Sequence, residues 1–225
     1  MQIKILVKRQ ASQREKPYIQ EFTYNGDGKL TVADWLNEIN RTKAADNRIA
    51  WECGCFEKKC GACAMLIKGI PVLACSVFLK DIKKHGKITI EPFRKFPLVK
   101  DLIVDKTVMF EALKNMKIWI SDKNSSDFSW DHKLQYKAGQ CLLCGCCLEI
   151  CPNFMADGEF AGAAAIIGAY RDMEQNAKDR HYHEMKFRYK EMFYQHCGQA
   201  LSCKSVCPQH LPIDEIQARM NTFID

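Results

Sequence analysis

The sequence has no long apolar run. Its best apolar stretch, residues 160–170, is too short to cross a bilayer, which takes about 20 apolar residues. No apolar signal segment follows Met1, and the sequence contains neither a G-x-G-x-x-G dinucleotide fingerprint nor a known nucleic-acid-binding motif. The net charge of +6 is modest for 225 residues. We therefore expect no transmembrane segment in this chain, no nucleic acid partner and no dinucleotide site, so any membrane association must come through a partner.

Cysteine, in contrast, is abundant, with thirteen residues in three groups. The second and third groups nearly repeat each other, because both follow steps of 3, 3 and 4 residues and both end in Cys-Pro. This is the C-x2-C-x2-C-x3-C-P run of bacterial ferredoxins, in which the last thiolate of each run ligates the cluster of the other run. The positions of the two runs are Cys141, Cys144, Cys147 and Cys151, then Cys197, Ala200, Cys203 and Cys207.

Exchanging the last cysteine between the two runs predicts two different clusters. One set has four thiolates, which suits a 4Fe-4S cluster. The other set has three, because Ala200 stands where a fourth cysteine would be and its methyl group cannot bind iron. We therefore expect a 3Fe-4S cluster there. The predicted ligands are Cys141, Cys144, Cys147 and Cys207 for the 4Fe-4S cluster, and Cys151, Cys197 and Cys203 for the 3Fe-4S cluster.

The first group has a different spacing, C-x4-C-x2-C-x11-C, whose first steps match the plant-type pattern for a 2Fe-2S cluster. The predicted ligands are Cys55, Cys60, Cys63 and Cys75. A tight loop must bring backbone N–H groups to the sulfurs, and Gly54 and Gly61 suit this because glycine permits close approach and positive φ. Two cysteines remain, Cys53 and Cys146, and we expect both to be free buried thiols beside a cluster.

Two other uses of cysteine fit the sequence poorly. A disulfide framework belongs to an oxidising compartment, and the odd cysteine count, the adjacent pair Cys146 and Cys147 and the lack of a signal segment disfavour it. Zinc ribbons use two separated C-x2-C pairs, whereas the run from Cys141 places its four cysteines within eleven residues and ends in Cys-Pro. Iron-sulfur clusters are the better interpretation, and they indicate an electron carrier.

The chain is expected to divide near residue 100 into two domains, 1–100 and 101–225. In the first domain, Thr31 is a predicted N-cap of a helix that carries Val32, Trp35, Leu36 and Ile39 on one face. Strands are predicted at 3–8, 18–24, 64–68 and 71–74, with a final strand at 87–92. Strands around one helix, with a metal loop at the edge, describe a β-grasp 2Fe-2S ferredoxin domain.

The second domain is expected to be all-helical and similar to bacterial ferredoxins in its cluster loops, so that the fold class is α+β. Apolar residues at helical spacing and proline at a helix start are the basis for this. The predicted helices are 106–117, 159–171, 173–195 and 212–221.

The sequence resembles a known family, the iron-sulfur subunits of succinate dehydrogenases and fumarate reductases. The resemblance rests on the order of the three cysteine groups and covers nearly the whole chain. Even Ala200 fits, because that family has a residue other than cysteine at this place. The matching segments are 55–65, 141–152 and 197–208.

The resemblance implies a non-catalytic electron-transfer subunit of a succinate:quinone or quinol:fumarate oxidoreductase. Its partners would be an FAD-binding flavoprotein subunit, where succinate and fumarate interconvert, and a membrane anchor of the cytochrome b type that reacts with quinone. By analogy, the first domain would face the flavoprotein and the 3Fe-4S end would face the anchor. The chain would then be peripheral, at the cytoplasmic face of the inner or cell membrane.

The resemblance is incomplete at two positions. Many quinone-reducing relatives carry a tryptophan and a histidine that help to form a quinone pocket, where this chain has Ala156 and Gly198. This departure disfavours quinone reduction directly beside the 3Fe-4S cluster. An alternative function also remains open, that of an iron-sulfur subunit of a related flavoprotein reductase with a thiol or heterodisulfide partner.

Overall fold

The computed structural model describes residues 1–42, 44, 46–85, 87–119, 131–175 and 180–224. The chain forms two compact units, Met1–Asp105 and Lys106–Asp225. The first is built on a sheet and the second on helices, as expected from the sequence.

The first unit contains a five-stranded sheet, whose strands are Gln2–Arg9 (β1), Tyr18–Asn25 (β2), Ala64–Ile67 (β3), Ile70–Leu73 (β4) and Lys87–Glu91 (β5). Their order in the sheet is β2-β1-β5-β3-β4. Strand β1 pairs in parallel with β5, and the other pairs are antiparallel. Successive side chains of β1 point to opposite faces of the sheet, and Ile3, Ile5 and Val7 are buried on one face. The predicted strands are thus confirmed within one or two residues.

One helix, α1 (Val32–Arg41), begins as the sequence predicts. Thr31 is its N-cap: the Asp34 N–H donates to the Thr31 hydroxyl at 3.1 Å, and the Thr31 N–H donates to the Asp34 carboxylate at 3.0 Å. Its apolar face is buried, and Trp35 meets Phe22 of β2 edge to face with ring centroids 5.6 Å apart. Each large side chain buried in this way stabilises the fold by about 1.5–3 kcal/mol.

A second, two-stranded sheet was not expected. It joins β6 (Leu98–Lys100) to β7 (Ile103–Val104), so the prediction that β5 is the final strand was wrong. Strands of two or three residues are too short to show the alternation from which strands are predicted. Two short 3-10 helices, Ala74–Ser76 and Leu79–His85, precede β5.

The turn of this second sheet carries a buried ion pair. Arg9 Nε and Asp101 Oδ1 are 3.0 Å apart, and both side chains are almost completely buried. The carboxylate of Asp101 also accepts hydrogen bonds from the Gln10 and Ala50 N–H groups at 3.0 and 2.9 Å, while Arg9 donates to the Asn47 carbonyl. The pair therefore ties the end of β1 to the segment that leads into the first cysteine loop.

The second unit is organised around α5 (Gly162–Gln175), which packs against five of the other helices. Its small residues allow close packing, and at Gly162, where φ is +73°, an added Cβ would collide with Leu148. The other helices are α2 (Thr107–Asn115), α3 (His132–Ala138), α4 (Cys146–Ile150), α6 (Arg180–Tyr189), α7 (Ser202–Ser205) and α8 (Ile213–Asn221).

The predicted helix boundaries were partly wrong in this unit. The helix expected at 159–171 begins three residues later and continues to Gln175, so the start of the helix expected at 173–195 belongs to α5. Residues 176–179 lie outside the described residues, and α6 continues as a π-helical turn over Lys190–Tyr194. Pro212 is the N-cap of α8 and not its first residue. The short helices α3, α4 and α7 had no sequence prediction.

Candidate metal centres

The first cysteine group lies in the loop that joins α1 to β3 and in the 3-10 helix after β4. Cys63 and Cys75 are buried, with their Sγ atoms 3.4 Å apart, whereas Cys55 is half-buried and Cys60 is exposed. Cys53 lies in the same loop and is only half-buried, so the expectation that it is buried was wrong. This region of the chain therefore holds a buried pair of sulfurs, Cys63 and Cys75, and two that are less buried, Cys55 and Cys60.

Backbone N–H groups of this loop point at the sulfurs. Cys55 Sγ accepts from the Glu57 and Lys59 N–H groups at 3.3 and 3.2 Å, and Cys75 Sγ accepts from the Lys58 N–H at 3.3 Å. These bonds confirm the expectation that N–H groups reach the sulfurs. They favour negative charge on the sulfurs, because each places a partial positive charge against a thiolate.

Positive φ angles turn these N–H groups inward. Phe56, Lys58 and Gly61 have φ of +55°, +61° and +74°. Such left-handed residues between ordinary ones make a concave cradle of N–H groups, which is typical of iron-sulfur sites. The expectation of a positive φ is confirmed for Gly61 but was wrong for Gly54. An added Cβ at Gly54 would lie 3.7 Å from Cys60 Sγ, an ordinary contact.

Burial and hydrogen bonding act in opposite directions on the thiols of this loop. The Glu57 and Lys59 N–H groups lower the pKa of Cys55 to about 7. Burial raises the pKa of Cys63 well above its usual range. Cys55 thus ionises more readily than an ordinary thiol, whereas at Cys63 a bound cation would have to displace the proton.

The second unit contains two cavities lined by cysteine. The first is lined by Cys141, Cys144 and Cys147 together with Cys207, which comes from the other run. The second is lined by Cys151 of the first run with Cys197 and Cys203 of the second, and Ala200 lies on the same wall. The structure thus brings together the side chains in the two sets that the sequence grouped by exchanging the last cysteines.

The two runs are similar in backbone as well as in sequence. Leu143 and Gly145 have φ of +48° and +89°, and the residues at the same places in the second run, Gln199 and Leu201, have φ of +54° and +52°. A short helix follows each, α4 in the first run and α7 in the second. The same left-handed backbone turn therefore lines each of the two cavities.

Burial disfavours thiolates in these cavities unless a cation is present. It raises the pKa of Cys147 well above the usual range and that of Cys203 to about 11. Cys144 differs, because a hydrogen bond from the fully buried Cys146 thiol lowers its pKa to about 7. Cys146 is thus a buried thiol beside the first cavity, as expected.

The donor set fits iron-sulfur clusters. Thiolate sulfurs around a cavity, with N–H groups aimed at them, are the ligands and outer contacts that such clusters use. Within the part of the chain that the structure describes, no three His, Cys, Asp or Glu side chains are arranged to hold a single metal ion. None of the described helices is long and apolar enough to cross a membrane.

Sequence reasoning missed one polar residue of the second cavity, Gln217, whose side-chain amide donates to Cys197 Sγ at 3.3 Å. A signal was present, because Gln217 lies on the stripe of α8 that is otherwise apolar, with Ile213, Ile216 and Met220.

Comparison with known protein families gives two matches. Residues 4–111 match the model described as a 2Fe-2S iron-sulfur cluster binding domain. Residues 137–211 match the model described as a 4Fe-4S dicluster domain. Together with the observed sheet and helices, these matches confirm the predicted α+β fold.

Among curated proteins, the succinate dehydrogenase iron-sulfur subunit of Bacillus subtilis is 28% identical over 97% of this chain and 91% of its own length. The fumarate reductase iron-sulfur subunits of Wolinella succinogenes and Escherichia coli O6:H1 are 30% and 32% identical. They cover 88% and 82% of this chain, and 86% and 77% of their own lengths. Among solved structures, a chain of the Mycobacterium smegmatis Sdh1 complex in the apo form has a TM-score of 0.81 and 23% identity, covering 99% of this chain and 95% of its own.

Proposed function

Because this chain belongs to the family of iron-sulfur subunits of succinate dehydrogenases and fumarate reductases, we propose that it passes single electrons between a flavoprotein subunit and a membrane anchor. In this proposal the flavoprotein interconverts succinate and fumarate at FAD, the anchor reacts with quinone, and this subunit is non-catalytic. It would be held at the cytoplasmic face of the membrane through these partners.

The proposed ligands are three sets of cysteines. The 2Fe-2S set is the first cysteine group. The 4Fe-4S set takes three cysteines of the first run and one of the second, and the 3Fe-4S set takes the other three cysteines of the two runs. They are Cys55, Cys60, Cys63 and Cys75; Cys141, Cys144, Cys147 and Cys207; and Cys151, Cys197 and Cys203. When bound, each cluster supplies a site that accepts and releases one electron.

The observation that carries this proposal is the exchange of cysteines between the two cavities of the second unit. Cys207 lines the first cavity with three residues that precede it by 60 or more positions, while Cys151 lines the second. A site for a single small ion has no need for this arrangement. Two adjacent clusters require it, because the last thiolate of each run ligates the cluster of the other run.

The residues around the sulfurs would hold and insulate the clusters. Five apolar residues line the first cavity and would reduce the access of water to a bound cluster: Leu142, Ala164, Ile167, Leu211 and Ile213. The N–H groups of Glu57, Lys58 and Lys59 neutralise part of the negative charge in the first loop. Burial and hydrogen bonds to sulfur are two of the factors that set the reduction potential of a cluster.

The complex purified without oxygen tests this proposal. We expect about nine iron and ten inorganic sulfide ions per chain, from one 2Fe-2S, one 4Fe-4S and one 3Fe-4S cluster. Adding succinate should reduce clusters in the complex, seen as loss of the EPR signal of the oxidised 3Fe-4S cluster. Zinc in place of iron would contradict the cluster assignment. Clusters that are present but stay oxidised with succinate would favour a related flavoprotein reductase with a thiol or heterodisulfide partner.

A further inference from the structure

Gln217 is a buried amide in a place that is otherwise apolar. Only 8% of the residue is exposed, and its neighbours on the buried stripe of α8 are Ile213, Ile216 and Met220. Burying an amide costs free energy unless the amide is hydrogen-bonded. The Nε2 group of Gln217 meets this need by donating to Cys197 Sγ at 3.3 Å, and the residue lines the cavity of Cys151, Cys197 and Cys203.

We propose that Gln217 is a positioning residue that sets the reduction potential of the cluster held by Cys151, Cys197 and Cys203, by donating a hydrogen bond to Cys197 Sγ. The inference rests on the proposed function, since it needs a cluster in this cavity. Reduction places one more negative charge on a cluster and its sulfurs. A donor at a ligand sulfur therefore stabilises the reduced form more than the oxidised form and raises the potential.

Two other polar side chains near this cavity have different partners. The amide of Asn153 donates to the backbone carbonyl of His196. The ammonium of Lys204, the residue after Cys203, lies 2.6 Å from the Asp214 carboxylate. The buried amide of Gln217 is aimed at a ligand sulfur itself, and its helix fixes it there. A rigid neutral donor shifts the potential without bringing a full charge into the cavity.

The test is Gln217→Met in the anaerobically purified complex, because methionine is unbranched and of similar length but has no N–H to donate. EPR-monitored redox titration should show the oxidised 3Fe-4S signal with a lower midpoint potential. We expect about a tenfold shift in the one-electron reduction equilibrium, which is about 59 mV. The midpoints of the 2Fe-2S and 4Fe-4S clusters in the same sample should stay unchanged. An unaltered 3Fe-4S midpoint overturns the inference.

Gln135→Met is the matched control. Gln135 is also 8% exposed and lies in the same unit, but its amide donates to the Arg171 carbonyl at 3.4 Å and its carbonyl accepts from Gln175 at 3.1 Å. Removing this buried amide should leave all three midpoints unchanged. An equal shift in both variants would indicate a general loss of packing, and the assignment to Gln217 would be wrong.

If Gln217→Met fails to retain the cluster, the contact can still be tested in protein that keeps Gln217. Protein labelled with 15N in the glutamine side chains, with the exposed Gln199 replaced by Asn, which tolerates its φ of +54°, should show a 15N coupling in pulsed EPR of the oxidised 3Fe-4S signal. No coupling overturns the inference. A complex with no oxidised 3Fe-4S signal before any substitution contradicts the proposed function itself, so the two failures are distinguishable.

Discussion

Replacing Ala200 with cysteine should convert the site of Cys151, Cys197 and Cys203 from a 3Fe-4S to a 4Fe-4S cluster. The new thiolate supplies the ligand that the set lacks, so a fourth iron can be held. Chemical analysis should rise from about nine to about ten iron ions per chain, with sulfide unchanged at about ten. The EPR signal of the oxidised 3Fe-4S cluster should disappear.

The backbone around Ala200 supports this expectation. Ala200 occupies the place in the second run that Cys144 occupies in the first, and the residues on both sides of it match the first run in their positive φ angles. Ala200 also lines the cavity that contains the three cysteine sulfurs. A cysteine at position 200 should therefore direct its sulfur as Cys144 does, without any change of the loop.

Ala200→Ser is the control that shows whether the effect of Ala200→Cys needs a thiolate or only an added side-chain atom. Serine is close to cysteine in size, but a neutral hydroxyl is a poor substitute for a soft thiolate. We expect Ala200→Ser to keep the 3Fe-4S signal and the iron content of the unaltered complex. If Ala200→Cys keeps them too, the set of ligands assigned to this cluster is wrong.

The cysteine groups could be identified from sequence because cluster ligation fixes their spacing along the chain. Cys141 to Cys151 and Cys197 to Cys207 each lie within eleven consecutive residues, so the local sequence contains most of the information. The exchange of Cys151 and Cys207 was predicted only because ferredoxin runs of this type exchange their last ligands. The start of α1 was equally local, since Thr31 and Asp34 form the whole capping box.

The features that were missed depend on residues far apart in the chain. Gln217 is separated by 20 residues from Cys197, and Gln10 by 91 from Asp101. Local periodicity identifies neither Cys197 nor Asp101 as a partner. At Gln217, a lone polar residue on an apolar stripe shows only that some partner is needed. The β6–β7 hairpin and the short helices α3, α4 and α7 fall below the length at which periodicity is detectable.

Arg9→Met should strongly destabilise the first unit. It removes the cation from a pair that is almost completely buried and leaves the Asp101 carboxylate with two backbone N–H donors as its remaining partners in this network. Breaking a buried ion pair on one side costs about 3–5 kcal/mol. For a unit of this size the melting temperature should fall by more than about 10 °C. Thermal loss of the visible circular dichroism of the 2Fe-2S cluster is the measurement, because the pair anchors the segment before its loop.

Two further variants show whether the buried charge is the cause. In the double variant Arg9→Met with Asp101→Asn, no unpaired charge is left, and asparagine tolerates the φ of +47° at this position. It should recover part of the lost stability, so the two single effects will not add. Lys4→Met breaks the exposed pair of Lys4 with Glu21, where both side chains are more than half exposed, and should cost no more than about 1 kcal/mol. If Lys4→Met lowers the melting temperature as much as Arg9→Met does, burial of the Arg9 and Asp101 pair is not what stabilises this unit.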